Sequence, residues 1–326
     1  MDGRAISAVD RADTPITFAI DWLLRSDEPA IRWMTSRDLL AEERLDDRAA
    51  VLGGPLVTGL LAGQQEDGGF GGHPYRKWTG AHWRLISLVE LGLPALEGRA
   101  LRALETVLGW LTGRGHRGAV KVVAGRARRC ASQEGNALAV ASRLGMAHDP
   151  RVKLLASSLL EWQWPDGGWN CDARPTARNS SVNETLAPAW GLWEYALASL
   201  HKDAREGAQR AAESLLERRI FRSRRTGQVM HPAVIKLHWP PYWHYDVLRA
   251  LVVLERMGLV RDGRTNDALD LLEGLRLPDG RWEPGASWWS SPGSSRSPEV
   301  VDWGRSGANE MITLHALTAL RAAGRL

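Results

Sequence analysis

Phenylalanine and tyrosine are scarce in this chain, with 3 Phe and 4 Tyr among 326 residues. Cysteine is scarcer still: Cys130 and Cys171 are the whole supply. Two cysteines cannot build the disulfide framework of a small secreted scaffold, so the fold must rest on a packed core. No run of about 18 uncharged apolar residues occurs, which argues against a helical membrane span. The opening stretch, MDGRAISAVDRADTP, has none of the apolar character of a secretory leader, so a cytoplasmic location is the expectation. Convincing period-2 strands are also missing. Neither charge sign dominates: 42 Lys and Arg face 38 Asp and Glu, a net charge of +4. Nucleic acid is therefore not an expected partner. The excess is local, in Arg114, Arg117, Lys121, Arg126, Arg128 and Arg129, and again in Arg218, Arg219, Arg222, Arg224 and Arg225. Such groups can meet phosphates, or simply form a solvated basic face.

Tryptophan is abundant instead, with 16 copies. Trp is large, and its indole N–H needs a partner when buried, so a chain that uses it this often is repeating a Trp motif or lining a cavity with it. A repeat is present. Gln64–Phe70 reads QQEDGGF, Gln163–Trp169 reads QWPDGGW and Arg276–Trp282 reads RLPDGRW. The shared pattern is Gln or Arg, two residues, Asp-Gly, one residue, then an aromatic. Asp-Gly turns the chain because Gly tolerates positive φ. The amide of the Gln is placed to satisfy a helix end, and an Arg plane can substitute in the third copy.

Each loop precedes a segment that opens with a polar cluster and continues as an apolar helix. These are 80–92, 132–145, 181–196, 243–258 and 307–320, several of them ending at Gly, the usual residue just past a helix. Amphipathic helices such as ALEGRALRALETVLGWL and REGAQRAAESLLER alternate with them. An all-α protein of about six helical hairpins follows, with residues 1–14 as a flexible N-terminus and 15–326 as a single domain. The hairpins could stack in a closed ring or in an open solenoid.

Loops of the form Q-x-x-D-G-x-W/F between helical hairpins resemble those of squalene and terpene cyclases and of protein prenyltransferase β subunits. The resemblance runs from about Leu61 to Leu326. It implies an α/α toroid in which Gln and aromatic of each repeat are structural, and in which the starts of the inner helices converge on one mouth of a central cavity. It further implies an isoprenoid or other largely apolar small-molecule substrate, possible diphosphate recognition by the arginine clusters, and cyclase, isomerase or transferase chemistry with cation–π stabilisation. The Asp-x-Asp-Asp acid motif of the cyclases is absent, and so is the Asp-x-Cys zinc motif of the prenyltransferases. No cofactor is required by the sequence. Cys171–Asp172 and Cys130 could still meet a His across the ring as a zinc site. A non-catalytic ligand-binding or scaffold toroid is the alternative, and a carbohydrate-active glycosidase or lyase is a further one.

Under the toroid reading, the inner-helix starts nominate the site. Asp246, Glu184, Glu134, Glu310, His244 and His82 are the candidate catalytic groups, because carboxylates crowded around one cavity repel and one should become a general acid. Trp83, Trp243, Tyr245, Trp239, Trp78, Trp288, Asn183 and Asn309 are the candidate substrate-binding groups. The competing reading is helix capping, which Asp246, Asn183 and Asn309 would serve well. The stretch HPAVIKLHWPPYWHYDV, with His231, His238 and His244 among aromatic rings, is the least repeat-like part of the chain. The segment Pro284–Gly304 is too long for a hairpin connection, and Trp288 and Trp289 within it suggest a lid.

Overall fold

The computed structural model describes residues 14–326; the expected flexible N-terminus, 1–14, lies outside the described residues save for Thr14. Almost all regular structure is helical. The first hairpin is α1 (Pro15–Leu24) and α2 (Pro29–Thr35), the latter running on into a π-helical turn over Ser36–Leu40. A short α3 (Leu45–Ala50) leads to the second, α4 (Pro55–Leu61) and α5 (Ala81–Glu90). The third is α6 (Gly98–Thr112) and α8 (Ser132–Arg143), with the short α7 (Arg114–Gly118) and a two-stranded hairpin, β1 (Lys121–Val123) and β2 (Arg126–Arg128), between them. Then follow α9 (Pro150–Trp162) with α10 (Val182–Ser199), α11 (Lys202–Leu216) with α12 (Val247–Arg256), and α13 (Asn266–Gly274) with α14 (Glu310–Ala322). The small sheet, absent from the sequence reading, forms because Ala124 and Gly125 both take positive φ and close a tight two-residue turn.

One helix of each pair is amphipathic and the other is enclosed. All ten residues of α5 are buried, and α12 buries Val247 through Leu254 without a break. A helix covered on every side must have neighbours on every side. On one side the neighbours are the amphipathic helices, α6 on α5, α9 on α8, α11 on α10 and α13 on α12; on the other they are enclosed helices, for α5 touches α8, α8 touches α10, α10 touches α12, α12 touches α14, and α14 touches α2. The α8–α10 crossing is the tightest. A Cβ on Gly135 would lie 2.3 Å from the Pro188 nitrogen, and one on Gly191 would lie 2.2 Å from the Gly135 carbonyl oxygen. These two glycines let the helix backbones touch.

Two of the repeated loops carry the expected Gln staple, whereas Arg276 of the third copy is exposed. Gln64 Nε2 donates to the carbonyls of Gly68 (2.9 Å) and Arg99 (2.8 Å). Gln163 Nε2 does the same to Gly167 (2.8 Å) and Gly207 (2.8 Å). Trp169 and Trp282 each return an indole N–H to the preceding helix, at the carbonyls of Leu159 (3.0 Å) and Leu272 (2.8 Å). The turn glycines Gly68, Gly167 and Gly280 have φ near +85°, and a Cβ on any of them would strike a backbone carbonyl: Arg102 in α6, Arg210 in α11, and Pro15 in α1. The third loop thus seats the last hairpin on α1. Arg281 beside it lies over the rings of Phe18 (5.5 Å) and Trp22 (4.8 Å) of α1.

Candidate functional site

The polar starts of the enclosed helices do not form one cluster of four carboxylates. They divide into three environments, the second and third joined by the Trp78–Trp83 (4.9 Å) and Trp83–Tyr242 (5.2 Å) ring contacts. Glu310, in the first turn of α14, faces Ser26 and Asp27 beside α1 and α2, with its carboxyl raised chiefly by burial. Asn309 caps α14, accepting from Ile312 N–H at 3.0 Å, and donates to the Trp303 and Gly304 carbonyls. For these two residues, capping and burial describe the role, and the expected place in a shared site is corrected.

The second environment lies between α8 and α10, which the Gly135–Gly191 contact brings together. Glu134 is buried and uses Oε1 to accept from His116 Nε2 (2.8 Å) and from Arg129 Nε (2.9 Å) and Nη2 (2.7 Å), while its Oε2 has no hydrogen-bond partner among the described residues. Glu184 Oε2 accepts the Ser132 N–H at 3.0 Å. Burial raises the Glu184 carboxyl, and the Glu134 charge adds to that. Tyr75 stands alongside with its hydroxyl pushed up to about 12, first by burial and then by Glu184, Cys130 and Glu134. His82 is buried against Trp83 and Trp110 and is held near 3 by burial, so it is a neutral core imidazole at ordinary pH. Trp83 is fully buried, its indole N–H on the Tyr75 carbonyl at 3.2 Å.

The third environment is built by residues 237–246 and the 284–304 segment. Asp246 caps α12 through Oδ1, which accepts the Arg249 N–H at 2.7 Å. Its Oδ2 accepts the backbone N–H of His238 at 2.9 Å and also pairs with His238 Nδ1. His238 is 5% exposed, and its Nε2 is buried with no hydrogen-bond partner among the described residues. His244 is not paired with the acid. It lies stacked between Trp243 (4.0 Å between centroids) and Trp288 (4.2 Å, interplanar angle 7°), and it is held near 3 by burial, His238 and Lys77. Trp78 stacks on Tyr242 at 4.4 Å and donates its indole N–H to the Trp288 carbonyl at 2.9 Å. Lys77 Nζ sits over both Trp78 (5.2 Å) and Trp243 (4.9 Å).

Two nominated rings belong to the core instead. Tyr245 donates its hydroxyl to the Ile220 carbonyl at 2.6 Å and is fully enclosed. Trp239 is buried edge-on against His315 and Trp303. Asn183 does not cap its own helix; its Oδ1 accepts the Tyr245 N–H at 2.9 Å and so ties α10 to the approach to α12. The 284–304 segment is folded down over this region, with Gly285 N–H on Leu237 (2.8 Å) and Trp289 Nε1 on Trp239 (2.9 Å). Within it, Glu299 is buried and its carboxyl is raised to about 8, mainly by burial, against the pull of the Val300 N–H and Arg84.

The expected Trp-rich chamber is filled by its own rings: the gap among Asn136, Asn183, Trp190, Tyr242, Trp243 and Arg249 holds about 10 Å³. A charged cavity of about 600 Å³ opens at the other end of the enclosed helices. Met34 of α2, Glu90 of α5, Arg143 of α8, Glu194 of α10, Arg256 of α12 and His315 of α14 all line it. Glu90 is the hub, with Arg256 at 2.7 Å, Arg249 at 2.9 Å and Arg143 at 3.4 Å. Sequence reasoning missed Glu90 and Glu299, and it singled out His238 only as one of three histidines in an aromatic stretch. Glu90 sits at the end of an enclosed helix, where a lone acid in an apolar run is the available signal.

No family model matches this chain, and no curated protein matches it. Among solved structures, a protein from Actinoplanes is similar over 95% of this chain and 98% of its own, at 17% identity and a TM-score of 0.45.

Proposed function

We propose that the chain is an α/α toroid that carries out proton transfer on a largely apolar small molecule, in the manner of a cyclase or isomerase, with His238 as the acid–base group. Three features support the toroid reading: the succession of enclosed-helix contacts that runs from α5 to α2, the cavity that six helices line together, and the third loop seated on α1. The Q-x-x-D-G-x-W/F loops and the family they resemble fit the same arrangement.

One observation carries the catalytic reading. Asp246 faces His238 Nδ1, which fixes the proton on that nitrogen and leaves Nε2 as a buried acceptor with nothing to accept from. A buried acceptor without a donor costs free energy, and active sites are where such costs are tolerated. An imidazole held this way removes a proton from a hydroxyl, or from a carbon next to a developing cation, and returns it elsewhere. It is too weak an acid to protonate an isolated double bond, which agrees with the missing Asp-x-Asp-Asp motif. The faces of Trp288, Trp243 and Trp78 supply the cation–π surface that a developing cation needs. Exposed Lys77 offers an ammonium to an acidic head group such as a diphosphate. Because the rings fill the chamber, substrate enters when Trp288, which is 38% exposed, swings off His244 with its segment.

The test is a mass-spectrometric assay of prenyl alcohols and prenyl diphosphates incubated with the protein. Wild type converts at least one of them, and His238→Asn slows that conversion by about 100-fold or more with its unfolding midpoint unchanged. Equal turnover by His238→Asn sinks the assignment, and no turnover of any prenyl compound favours the ligand-binding alternative.

A further inference from the structure

Apart from the His238 site, the α8–α10 crossing brings together three metal-ligating side chains. Cys130 is two residues before the start of α8, Cys171 follows the second staple, and Glu184 is in the first turn of α10. One ligand atom from each lies within 4.8 Å of both others, and Cys171 Sγ is 3.7 Å from Glu184 Oε1. A tetrahedral zinc ion with S and O ligands sets neighbouring donor atoms roughly 3.5–3.8 Å apart, so the triangle needs only a slight contraction around an ion.

The arrangement is held from outside. The Ser132 N–H occupies Glu184 Oε2 and turns Oε1 toward the sulfurs. Arg129 N–H donates to the Asn170 carbonyl at 3.1 Å, joining the residues that immediately precede the two cysteines. Glu134 is 1% exposed, and the charge of its carboxylate reaches Cys130 and Glu184, which adds negative potential where a dication would sit. Cys171 is exposed and Cys130 half-buried, so an ion has a route in and a side left open.

We propose that Cys130, Cys171 and Glu184 bind a zinc ion whose fourth position is open to solvent or to a small ligand. Two thiolates select a soft divalent ion over magnesium or calcium, and three protein ligands with a vacant position are the pattern of reactive rather than purely structural zinc. The assignment differs from the sequence expectation, in which a His completes the set. It is also independent of the His238 reading, since its tests read metal and not turnover.

The experiment is metal analysis of full-length protein purified under reductant without chelator, followed by cobalt addition to the zinc-stripped protein. About one zinc per chain is expected, with cobalt giving thiolate charge-transfer absorption. Cys130→Ser and Cys171→Ser lose the zinc and the absorption with helicity intact, and Glu184→Gln weakens affinity by about 10–100-fold. Zinc at blank level together with no cobalt–thiolate band overturns the proposal, as does equal zinc in all three variants. If the variants fail to fold, the wild-type cobalt spectrum alone decides. A Cys130–Cys171 disulfide recovered from alkylated, zinc-free protein also counts against it.

Discussion

Asp246 holds His238 twice through one oxygen, accepting the backbone N–H at 2.9 Å and facing the ring Nδ1, while its other oxygen caps α12. A helix start and an imidazole are thereby locked to the same carboxylate. Asp246→Asn keeps an oxygen for the cap but no longer matches the ring N–H, so it lowers turnover far more than stability. Asp246→Ala removes both roles and destabilises by about 2–4 kcal/mol, from the lost cap and the stranded His238 donors. Urea unfolding of the two variants separates these outcomes; equal destabilisation would mean that the carboxylate beside His238, and not the cap, sets the stability.

Gly280 tests whether the chain closes on itself. Its φ is +87° and an added Cβ would lie within 1.8 Å of the Pro15 carbonyl oxygen. Gly280→Ala should cost about 2–4 kcal/mol and speed amide exchange in α1, because strain and clash both fall on that contact. Gly274→Ala, where a Cβ meets nothing within 4 Å, serves as the control and should be neutral or slightly stabilising. Unchanged exchange in α1 in the Gly280 variant contradicts the closure.

Glu90 is the pivot of the charged cavity. Burial alone would raise its carboxyl, but Arg249, Arg256 and Arg143 outweigh burial and hold it well below the ordinary 4.5. A depressed acid contributes stability that is present above the unfolded value and lost as pH falls through the folded one. Glu90→Ala should cost about 3–5 kcal/mol at pH 7, because it leaves buried guanidiniums unpaired. The variant should also lose less stability than wild type on acidification below 4.5. Parallel acid limbs in thermal melts would place the stabilisation elsewhere.

Glu299 behaves in the opposite sense. Its carboxyl is raised to about 8 by burial, so the folded state keeps a proton that the unfolded chain loses from about 4.5 upward. Stability attached to this group therefore falls as pH rises from 4.5 to 8 and is level beyond. Glu299→Gln should flatten that fall and melt several degrees above wild type at pH 8, a difference read directly by calorimetry across the pH series. Identical pH profiles would show that the carboxyl is not held protonated.

The helical pairs were legible in the sequence because a staple repeats and because enclosed helices need unbroken apolar runs. Gln64, Gln163, Trp169 and Trp282 mark that frame through local hydrogen bonds, and local bonds leave local patterns. The site was legible only in part. Asp246 and Glu184 were nominated correctly as residues at helix starts, but the partners that decide their chemistry come from loops. His238 reaches Asp246 because the intervening chain doubles back, and nothing in the spacing of eight residues dictates that. Glu90, Arg143 and Arg249 meet across three helices, a coincidence of rotation about helix axes that periodicity does not encode. His244, the more prominent histidine beside Asp246, is held instead between two indoles.

In the proposed site His238 offers a free Nε2 while Asp246 holds its Nδ1 proton, and nitrogen-detected NMR of the histidine rings reads that directly. The expected result is a His238 ring with its proton on Nδ1 and a bare Nε2, and loss of that signature in Asp246→Asn. A His238 ring carrying its single proton on Nε2, unchanged in Asp246→Asn, would contradict it.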